Sequence, residues 1–219
     1  MILNHFEEEY PNSLVSLRNT ELKNVNVFKY LGAYLHYQEP NTGDIELNYR
    51  IQSSSAKFAQ LSNLLQNFSI RLSTRVIFLN SFIRSRLTYA CQNWNLTKLQ
   101  YQRLDVAYRT FLRRMIRNGF KCINEKENDF RLHISNEQLH NICGTKDVSD
   151  FINKQQKSYT SHIIRMSNNS CMKQLMFNSD QYTRRGRPIG VLLEQVVKRN
   201  NTSIDAFCNL AMKKYEKSA

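Results

Sequence analysis

The sequence predicts a mainly α-helical protein in which a small N-terminal β-hairpin is followed by a basic multi-helix bundle. Three observations lead to this prediction. The chain has only 6 Gly and 3 Pro in 219 residues, so it is poor in turn formers. Apolar residues recur at helical spacing over most of the chain after residue 44. Strand-forming residues are concentrated in one segment, residues 14–37.

The predicted β segment begins with the sequence LVSLRNT and continues into ELKNVNVFKYLGAYLHY. Its β-branched and aromatic residues follow a polar turn at residues 18–20. The run Pro-Asn-Thr-Gly at residues 40–43 then predicts a turn. We therefore predict a small hairpin or strand pair within residues 1–40.

Three helices are predicted in residues 41–119. Polar side chains are placed to cap their first turns: Asp44 before about residues 45–66, Ser73 before about residues 74–90, and Thr97 with Gln100 as a capping box before the third helix. Gly119 lies just past the end of the third helix, where a left-handed residue is expected.

The remainder, residues 120–219, is also predicted to be helical. Residues 120–134 are polar and irregular, which makes them the best candidate boundary. The predicted helices cover about residues 136–142, ending at Gly144; from Asp147 to about Met166; about residues 189–199; and about residues 204–216, with Ser203 as the cap. The chain is thus divided into residues 1–40, 41–119 and 120–219.

The composition bears on partners and compartment. There are 31 Lys and Arg against 18 Asp and Glu, a net charge of +13. A basic domain of this size usually meets a polyanion, most often nucleic acid, although evenly spread charge could serve solubility alone. The five cysteines are scattered and form no C-x-x-C pair, and neither a secretory signal nor a long apolar run is visible. We expect an intracellular protein, nuclear or cytoplasmic, with no membrane partner.

The arginines are clustered. Arg109, Arg113 and Arg117 recur every four residues and so share one side of the third helix. The planar guanidinium matches two phosphate oxygens at once, so the clusters favour nucleic-acid backbone over the alternative of a solvated helix face. The predicted nucleic-acid-binding residues are Arg71, Arg75, Arg84, Arg86, Arg109, Arg113, Arg114, Arg117, Arg184, Arg185 and Arg187.

No catalytic or metal-binding pattern is found in the sequence. The aspartates include no aromatic-x-Asp-Asp turn of the kind that holds two divalent ions in a polymerase. Two cysteines and two histidines, Cys122, His133, His140 and Cys143, could meet in space, but their spacing fits no zinc pattern. We expect no catalytic residue, no metal site and no cofactor on this chain.

Several motifs in order resemble one family. They are Val27 to Gly32, similar to V-x-F-K-Y-L-G; Arg50-Ile51 through Lys57-Phe58; Leu87 to Ala90 with Trp94, similar to L-x-Y-G-x-E-x-W; Tyr108 to Ile116, similar to F-x-x-x-x-L-R-R-I; His162 to Met166, similar to the end of W-x-G-H-V-L-R-M; and Arg184 to Pro188, similar to R-R-G-R-P. Together they resemble the C-terminal end of a non-LTR (LINE-type) retrotransposon reverse transcriptase.

The resemblance implies a role for each part of the chain. Residues 1–40 would be the end-of-palm hairpin, with a primer-grip-like turn at Phe28, Lys29, Tyr30, Leu31 and Gly32. Residues 41–119 would be a thumb-like bundle and residues 120–219 a helical connection region. The parent family is an RNA-directed DNA polymerase, but its catalytic strand is absent from this chain, and the divalent metal is expected only in the missing palm.

The function implied by the resemblance is to grip the backbone of a template–primer duplex, either RNA–DNA hybrid or DNA, beside a palm supplied by a longer polypeptide. Two alternatives stay open. The chain could be a decayed or domesticated helical interaction or structural protein with no nucleic-acid role. It could also be an autonomous DNA-binding module that inserts the basic turn at residues 184–187 into a groove.

Overall fold

The computed structural model describes residues 16–17, 20–21, 25–36, 43–116, 134–177 and 192–216. Within them the chain is mainly helical and carries short antiparallel strands at its N-terminal end, which confirms the predicted fold class. The strands are β1 Ser16–Leu17, β2 Thr20–Glu21, β3 Val27–Tyr30 and β4 Ala33–His36. β1 pairs with β2 and β3 with β4, so the β region holds two small sheets.

The helices follow the strands without a further strand in the described ranges. They are α1 Asp44–Gln60, α2 Ser62–Leu65, α3 Leu72–Phe78, α4 Ser85–Leu87, α5 Lys98–Ile116, α6 Asn136–Cys143, α7 Val148–Arg165, α8 Cys171–Phe177, α9 Leu192–Arg199 and α10 Ile204–Glu216. A π-helical segment, Leu79–Arg84, joins α3 to α4, and a 3-10 turn, Cys91–Asn93, follows. None of the described helices is both long and apolar enough to cross a membrane.

Two of the predicted N-caps are confirmed. The backbone N–H of Gln100 donates to Thr97 Oγ1 at 3.3 Å, and the Thr97 N–H donates to Gln100 Oε1 at 2.9 Å, which completes the predicted capping box. Ser203 Oγ accepts from the Ala206 N–H at 3.2 Å. Gly144 has φ +59° and ends α6, as predicted.

Two other predicted N-caps are wrong. Helix α1 begins at Asp44 itself, with Gly43 at the N-cap and no side-chain cap, because the Asp44 carboxylate accepts from Arg103 of α5 at 2.5 Å. Helix α3 begins at Leu72, which places Ser73 inside the first turn. A competing tertiary partner accounts for the error at Asp44, and a helix start two residues earlier than predicted accounts for the error at Ser73. Gly119 lies outside the described residues.

The π-helical segment was not predicted. The hydroxyl of Ser85 donates to the Ser81 carbonyl, and Thr88 Oγ1 donates to the Arg84 carbonyl at 2.8 Å. Short polar side chains bond in this way to carbonyls one turn earlier, where a helix departs from regular geometry. One extra residue in the turn changes which later side chains face solvent. Apolar periodicity could not show this, because it assumes a constant helical pitch.

Two apolar cores meet along α7. The first contains Tyr108, Phe58 and Leu47 as fully buried side chains and extends to Ile152 in the N-terminal half of α7. The second begins at Ile163 in the C-terminal half of α7 and takes side chains from α8, α9 and α10. Helix α8 was not predicted, since it is short and its one buried apolar residue gives no period. The predicted boundary at residues 120–134 lies almost wholly outside the described residues.

The N-terminus of α7 is held by side chains of α5. Asp105 accepts a 2.8 Å hydrogen bond from the Ser149 N–H in the first turn of α7. Arg109 Nη1 lies 2.9 Å from both carboxylate oxygens of Asp147, and a ring nitrogen of His140 lies 3.0 Å from the same carboxylate. Asp147 therefore binds Arg109 instead of capping α7 with its side chain, and Asp105 supplies an acceptor there.

The buried Asp105 should make stability depend on pH. Burial is the main cause that raises the pKa of its carboxyl above the ordinary 3.8. A carboxyl with a higher pKa in the folded state loses stability as the pH rises from the unfolded pKa through the folded one. Relative to wild type, Asp105→Asn keeps the acceptor for Ser149 but cannot ionise. Its relative free energy of unfolding should therefore rise between about pH 4 and neutral pH, and then level off.

Urea unfolding of both proteins at several pH values measures this difference. Asp105→Ala is the comparator, since it lacks both the charge and the acceptor. It should show the same trend with pH but lie about 1 kcal/mol below Asp105→Asn throughout. If the wild type instead gains stability relative to Asp105→Asn as the pH rises, the pKa of Asp105 is not raised in the folded state.

Candidate nucleic-acid interface

The turn of the β3–β4 hairpin is fastened to α1 by a buried ion pair. Arg50 Nη2 donates to the Gly32 carbonyl at 2.6 Å, and Arg50 Nε lies 2.6 Å from Glu46 Oε1. The second oxygen of Glu46 accepts from the Tyr34 N–H at 2.7 Å. The turn and the strand that follows it, β4, are therefore bonded through one Arg–Glu pair, which fixes the position of the turn on the helix.

A tyrosine fastens the same turn from the end of α4. The Tyr89 hydroxyl donates to the Leu31 carbonyl at 2.9 Å, and the Arg50 guanidinium lies 4.6 Å from the centre of the Tyr89 ring. Gly32 has φ +85°, and a Cβ on it would lie 3.3 Å from the Tyr89 ring. Glycine is thus required here both by its backbone conformation and by the close ring. The contacts with Arg50 and Tyr89 therefore fix the position of the hairpin turn.

The two faces of this hairpin differ. On one face, Tyr34 packs edge-on against Tyr49 of α1 with ring centres 4.6 Å apart, and Lys29 Nζ lies 5.4 Å from the same Tyr49 ring. The other face carries Phe28 and Tyr30, whose ring centres are 6.4 Å apart. Of the primer-grip-like residues, Tyr30 and Leu31 are the apolar side chains most open to solvent, at 57% and 76% exposure.

Two of the predicted phosphate-binding arginines, Arg109 and Arg113, are bound within the protein. Both lie on one side of α5, as their spacing indicated, and that side is covered by α6 and the start of α7. Arg109 pairs with Asp147, and Arg113 Nη2 donates to Asn136 Oδ1 at 2.8 Å. Spacing showed that these arginines share a side but could not show what packs against it.

Two further arginines, Arg75 and Arg84, also face inward. Arg75 is buried and donates to three backbone carbonyls. The Arg84 guanidinium lies 4.5 Å from the centre of the Phe151 ring of α7. Four of the predicted residues therefore have structural partners. Another four lie outside the described residues: Arg117, Arg184, Arg185 and Arg187.

The predicted arginines that remain exposed are Arg71, Arg86 and Arg114. Arg86 Nη1 donates to Ser53 Oγ of α1 at 3.1 Å, a single neutral contact that leaves other donors accessible. The Arg114 guanidinium lies 4.6 Å from the centre of the Phe58 ring at the C-terminal end of α5. These three cations, together with the exposed Lys29 of β3, are accessible to an anionic ligand.

A continuous surface connects the hairpin turn with the helix that follows it. Arg86 and Tyr89 both contact α1, at Ser53 and at the Arg50 guanidinium, so they lie on the same side of α4 and the turn after it. Phe82, like Arg86, comes one residue before a fully buried side chain of the same helical run, so it lies on that side of the π segment. Tyr89 in turn contacts Leu31, next to Tyr30. We name this set the open stripe: Tyr30, Leu31, Tyr89, Arg86 and Phe82. Phe82 and Tyr89 were absent from the predicted site.

The electrostatics of the open stripe follow from a feature of the sequence. No Asp or Glu occurs between Glu46 and Asp105, whereas the basic residues in that interval include Lys57, Arg71 and Arg86. Glu46 itself is buried against Arg50. Positive charge on this surface is therefore not neutralised by any acid from its own helices. The absence of acids is a sequence signal that could have identified the region.

The described residues offer no support for metal or thiol chemistry at this surface. No group of three or more His, Cys, Asp or Glu side chains within them is placed to hold a metal ion. Cys122 and His133, two of the four residues considered for zinc, lie outside the described ranges. Burial raises the pKa of Cys91 to about 11 and also raises that of Cys143, so both thiols are protonated near neutral pH.

Comparison with known proteins gives no relative to set beside these features: no protein-family model, curated protein or solved structure matches the chain. The resemblance to a reverse transcriptase therefore stays a prediction from motifs.

Proposed function

We propose that this chain is a nucleic-acid-gripping thumb and connection fragment of a retrotransposon RNA-directed DNA polymerase. It would bind the backbone of a template–primer duplex without catalytic residues of its own, next to a palm supplied by a longer polypeptide. One observation supports the binding function above the others. Exposed cations in a stretch of chain that has no Asp or Glu, between Glu46 and Asp105, lie near a hairpin turn that Arg50 and Tyr89 hold in place.

The open stripe has the properties that a backbone-binding surface needs. Its hairpin turn is fixed before any ligand arrives, so little ordering entropy is lost on binding. Arg86 and Lys29 present charge beside the turn, and Arg71 lies just before α3, at the other end of the helical run that ends with α4. A sugar–phosphate chain could therefore contact cations at both ends of this helix. Such contacts would recognise charge and shape, not base sequence.

The salt dependence of binding tests the proposal. Four exposed cations, Arg71, Arg86, Arg114 and Lys29, would neutralise about four phosphates. The logarithm of the affinity should therefore fall against the logarithm of the salt concentration with a slope of about −3 to −4. Fluorescence anisotropy with an RNA–DNA hybrid of about twenty base pairs measures this slope. Arg86→Gln and Lys29→Gln should each weaken binding to all sequences and reduce the slope by about one.

Lys154→Gln is the matched control, because Lys154 is an exposed cation on α7, a helix that contributes no residue to the open stripe. It should leave the slope unchanged. Binding that does not depend on salt, or an equal loss in the Lys154 variant, would contradict the proposed interface.

A second function is favoured by a different observation. Arg75, Arg84, Arg109 and Arg113 all have internal partners, which is the pattern of a helical structural or interaction protein that uses arginine to join its own helices. That candidate has no nucleic-acid role. It predicts no measurable binding of either hybrid or duplex DNA in the same titration, with the fold and its stability intact.

A further inference from the structure

Three aromatic side chains of the open stripe are half-exposed and supported from behind. Tyr30 lies beside Phe28 at 6.4 Å between ring centres, and Phe82 lies beside Phe78 at 6.3 Å with 17° between the ring planes. Tyr89 has the Arg50 guanidinium on its ring, as described for the hairpin turn. The exposed fractions of Tyr30, Tyr89 and Phe82 are 57%, 47% and 45%.

The supporting groups restrict the rotamers of these rings before a ligand binds. A ring that is already held loses less conformational entropy when another planar group stacks on it. Apolar side chains that are scattered singly over a protein surface are common and do not indicate a binding site. Here the rings are neighbours in the fold, since Tyr89 contacts the residue next to Tyr30 and Phe82 lies on the helical run that leads to Tyr89.

Exposed ring faces fit unpaired bases better than a duplex. In a duplex the base faces are covered by neighbouring base pairs, so the duplex presents mainly sugar and phosphate to a protein. In a single strand the base faces are available, and aromatic side chains stack on them with little sequence preference. Arg86 lies between Phe82 and Tyr89 on the same side of the helix, where a phosphate joining two stacked bases would be.

We propose that the open stripe binds single-stranded nucleic acid, with successive bases stacked on Tyr30, Tyr89 and Phe82 and a connecting phosphate at Arg86. This inference rests on the proposed function and adds a second ligand, a strand with unpaired bases, to the duplex backbone that the same surface would bind. An apolar protein segment would also contact the three rings. The cations and the absence of acids between Glu46 and Asp105 favour a polyanion instead.

The test compares a labelled oligothymidylate of about twelve nucleotides with a blunt duplex of the same length. Tyr30→Leu and Phe82→Leu should each weaken binding of the single strand about tenfold, and together about a hundredfold, because each removes one stacking surface. Both should change duplex binding by less than about threefold, since the duplex depends on phosphate contacts. Tyr30→Phe keeps the ring and should bind the single strand like wild type.

Phe177→Leu is the control, because Phe177 is an exposed aromatic residue of α8, in the other core region. It should bind like wild type, and circular dichroism with thermal melting checks that every variant is folded. Equal loss of single strand and duplex, or no loss in the double variant, would overturn the stacking site while leaving the proposed function intact. If wild type binds neither probe at low salt, both proposals fail, and a protein partner for the three rings becomes the better explanation.

Discussion

Replacing Arg75 with Leu is expected to lower the free energy of unfolding by about 3 kcal/mol. The sequence had predicted Arg75, like Arg71 and Arg84, as a phosphate ligand. Arg75 Nη1 donates to the carbonyls of Leu65 at 3.2 Å and Met115 at 3.0 Å. Nε donates to a third carbonyl, that of Ile70, at 3.2 Å. The substitution would leave these buried acceptors without partners.

The position of Arg75 explains why the effect should be large. Leu65 is the last residue of α2, and Met115 is in the last turn of α5, so the guanidinium lies where two helix C-termini converge. The last carbonyls of a helix have no partners within it, and they carry partial negative charge. One buried cation therefore satisfies both ends. Burial is also the main cause that lowers the pKa of Arg75 below its ordinary value.

Arg71→Leu is the matched control, because Arg71 lies one turn earlier and is exposed. It should change stability by less than about 0.5 kcal/mol. Urea denaturation gives the two free energies, and the melting temperature of Arg75→Leu should fall by about 6–12 °C. If the two variants are equally stable, the carbonyl contacts of Arg75 do not hold the helices together.

Replacing Gln156 with Leu is expected to cost about 3 kcal/mol or more, because its amide uses all of its hydrogen-bonding capacity inside the protein. Gln156 is fully buried in α7. Its Nε2 donates to the carbonyls of Cys91 at 3.1 Å and Trp94 at 2.7 Å. Its Oε1 accepts from Arg199 Nη1 at 2.7 Å and from the Tyr101 hydroxyl at 3.3 Å.

This amide joins four parts of the chain. Arg199 of α9 also donates to the Tyr101 hydroxyl and to Asn153 Oδ1, so α5, α7, α9 and the 3-10 turn share one polar network. Leucine fills a similar volume, but two carbonyls, a hydroxyl and a guanidinium would each lose the hydrogen bond that they make with Gln156. A partly satisfied buried network is less stable than either a complete one or an apolar core.

Gln155→Leu is the matched control, since the neighbouring glutamine is exposed on the same helix. Its free energy of unfolding should stay within about 0.5 kcal/mol of wild type. Thermal melting and urea denaturation measure both variants. A Gln156→Leu protein as stable as Gln155→Leu would show that the four hydrogen bonds contribute nothing net.

The helical part of the fold was predictable because its signals are local. The Thr97–Gln100 capping box, the left-handed Gly144 and the apolar period of α5 and α7 depend on residues within one or two turns of each other. Where a distant group competes, the local signal failed: Asp44 binds Arg103 of α5 instead of capping α1. Tyr89 and Phe82 were missed for a related reason, since only the hairpin turn and the π segment make them part of one surface.

By itself, the sequence determined that the chain is mainly helical, where most helices begin and end, and that positive charge is concentrated on them. Only the tertiary structure decided which arginines face outward. The physical reason is that periodicity fixes the side of a helix on which a residue lies, whereas the neighbouring helix decides whether that side is covered. Arg109 and Arg113 are covered by α6 and α7, while Arg86 donates to Ser53 and is exposed, so it stays open to a ligand.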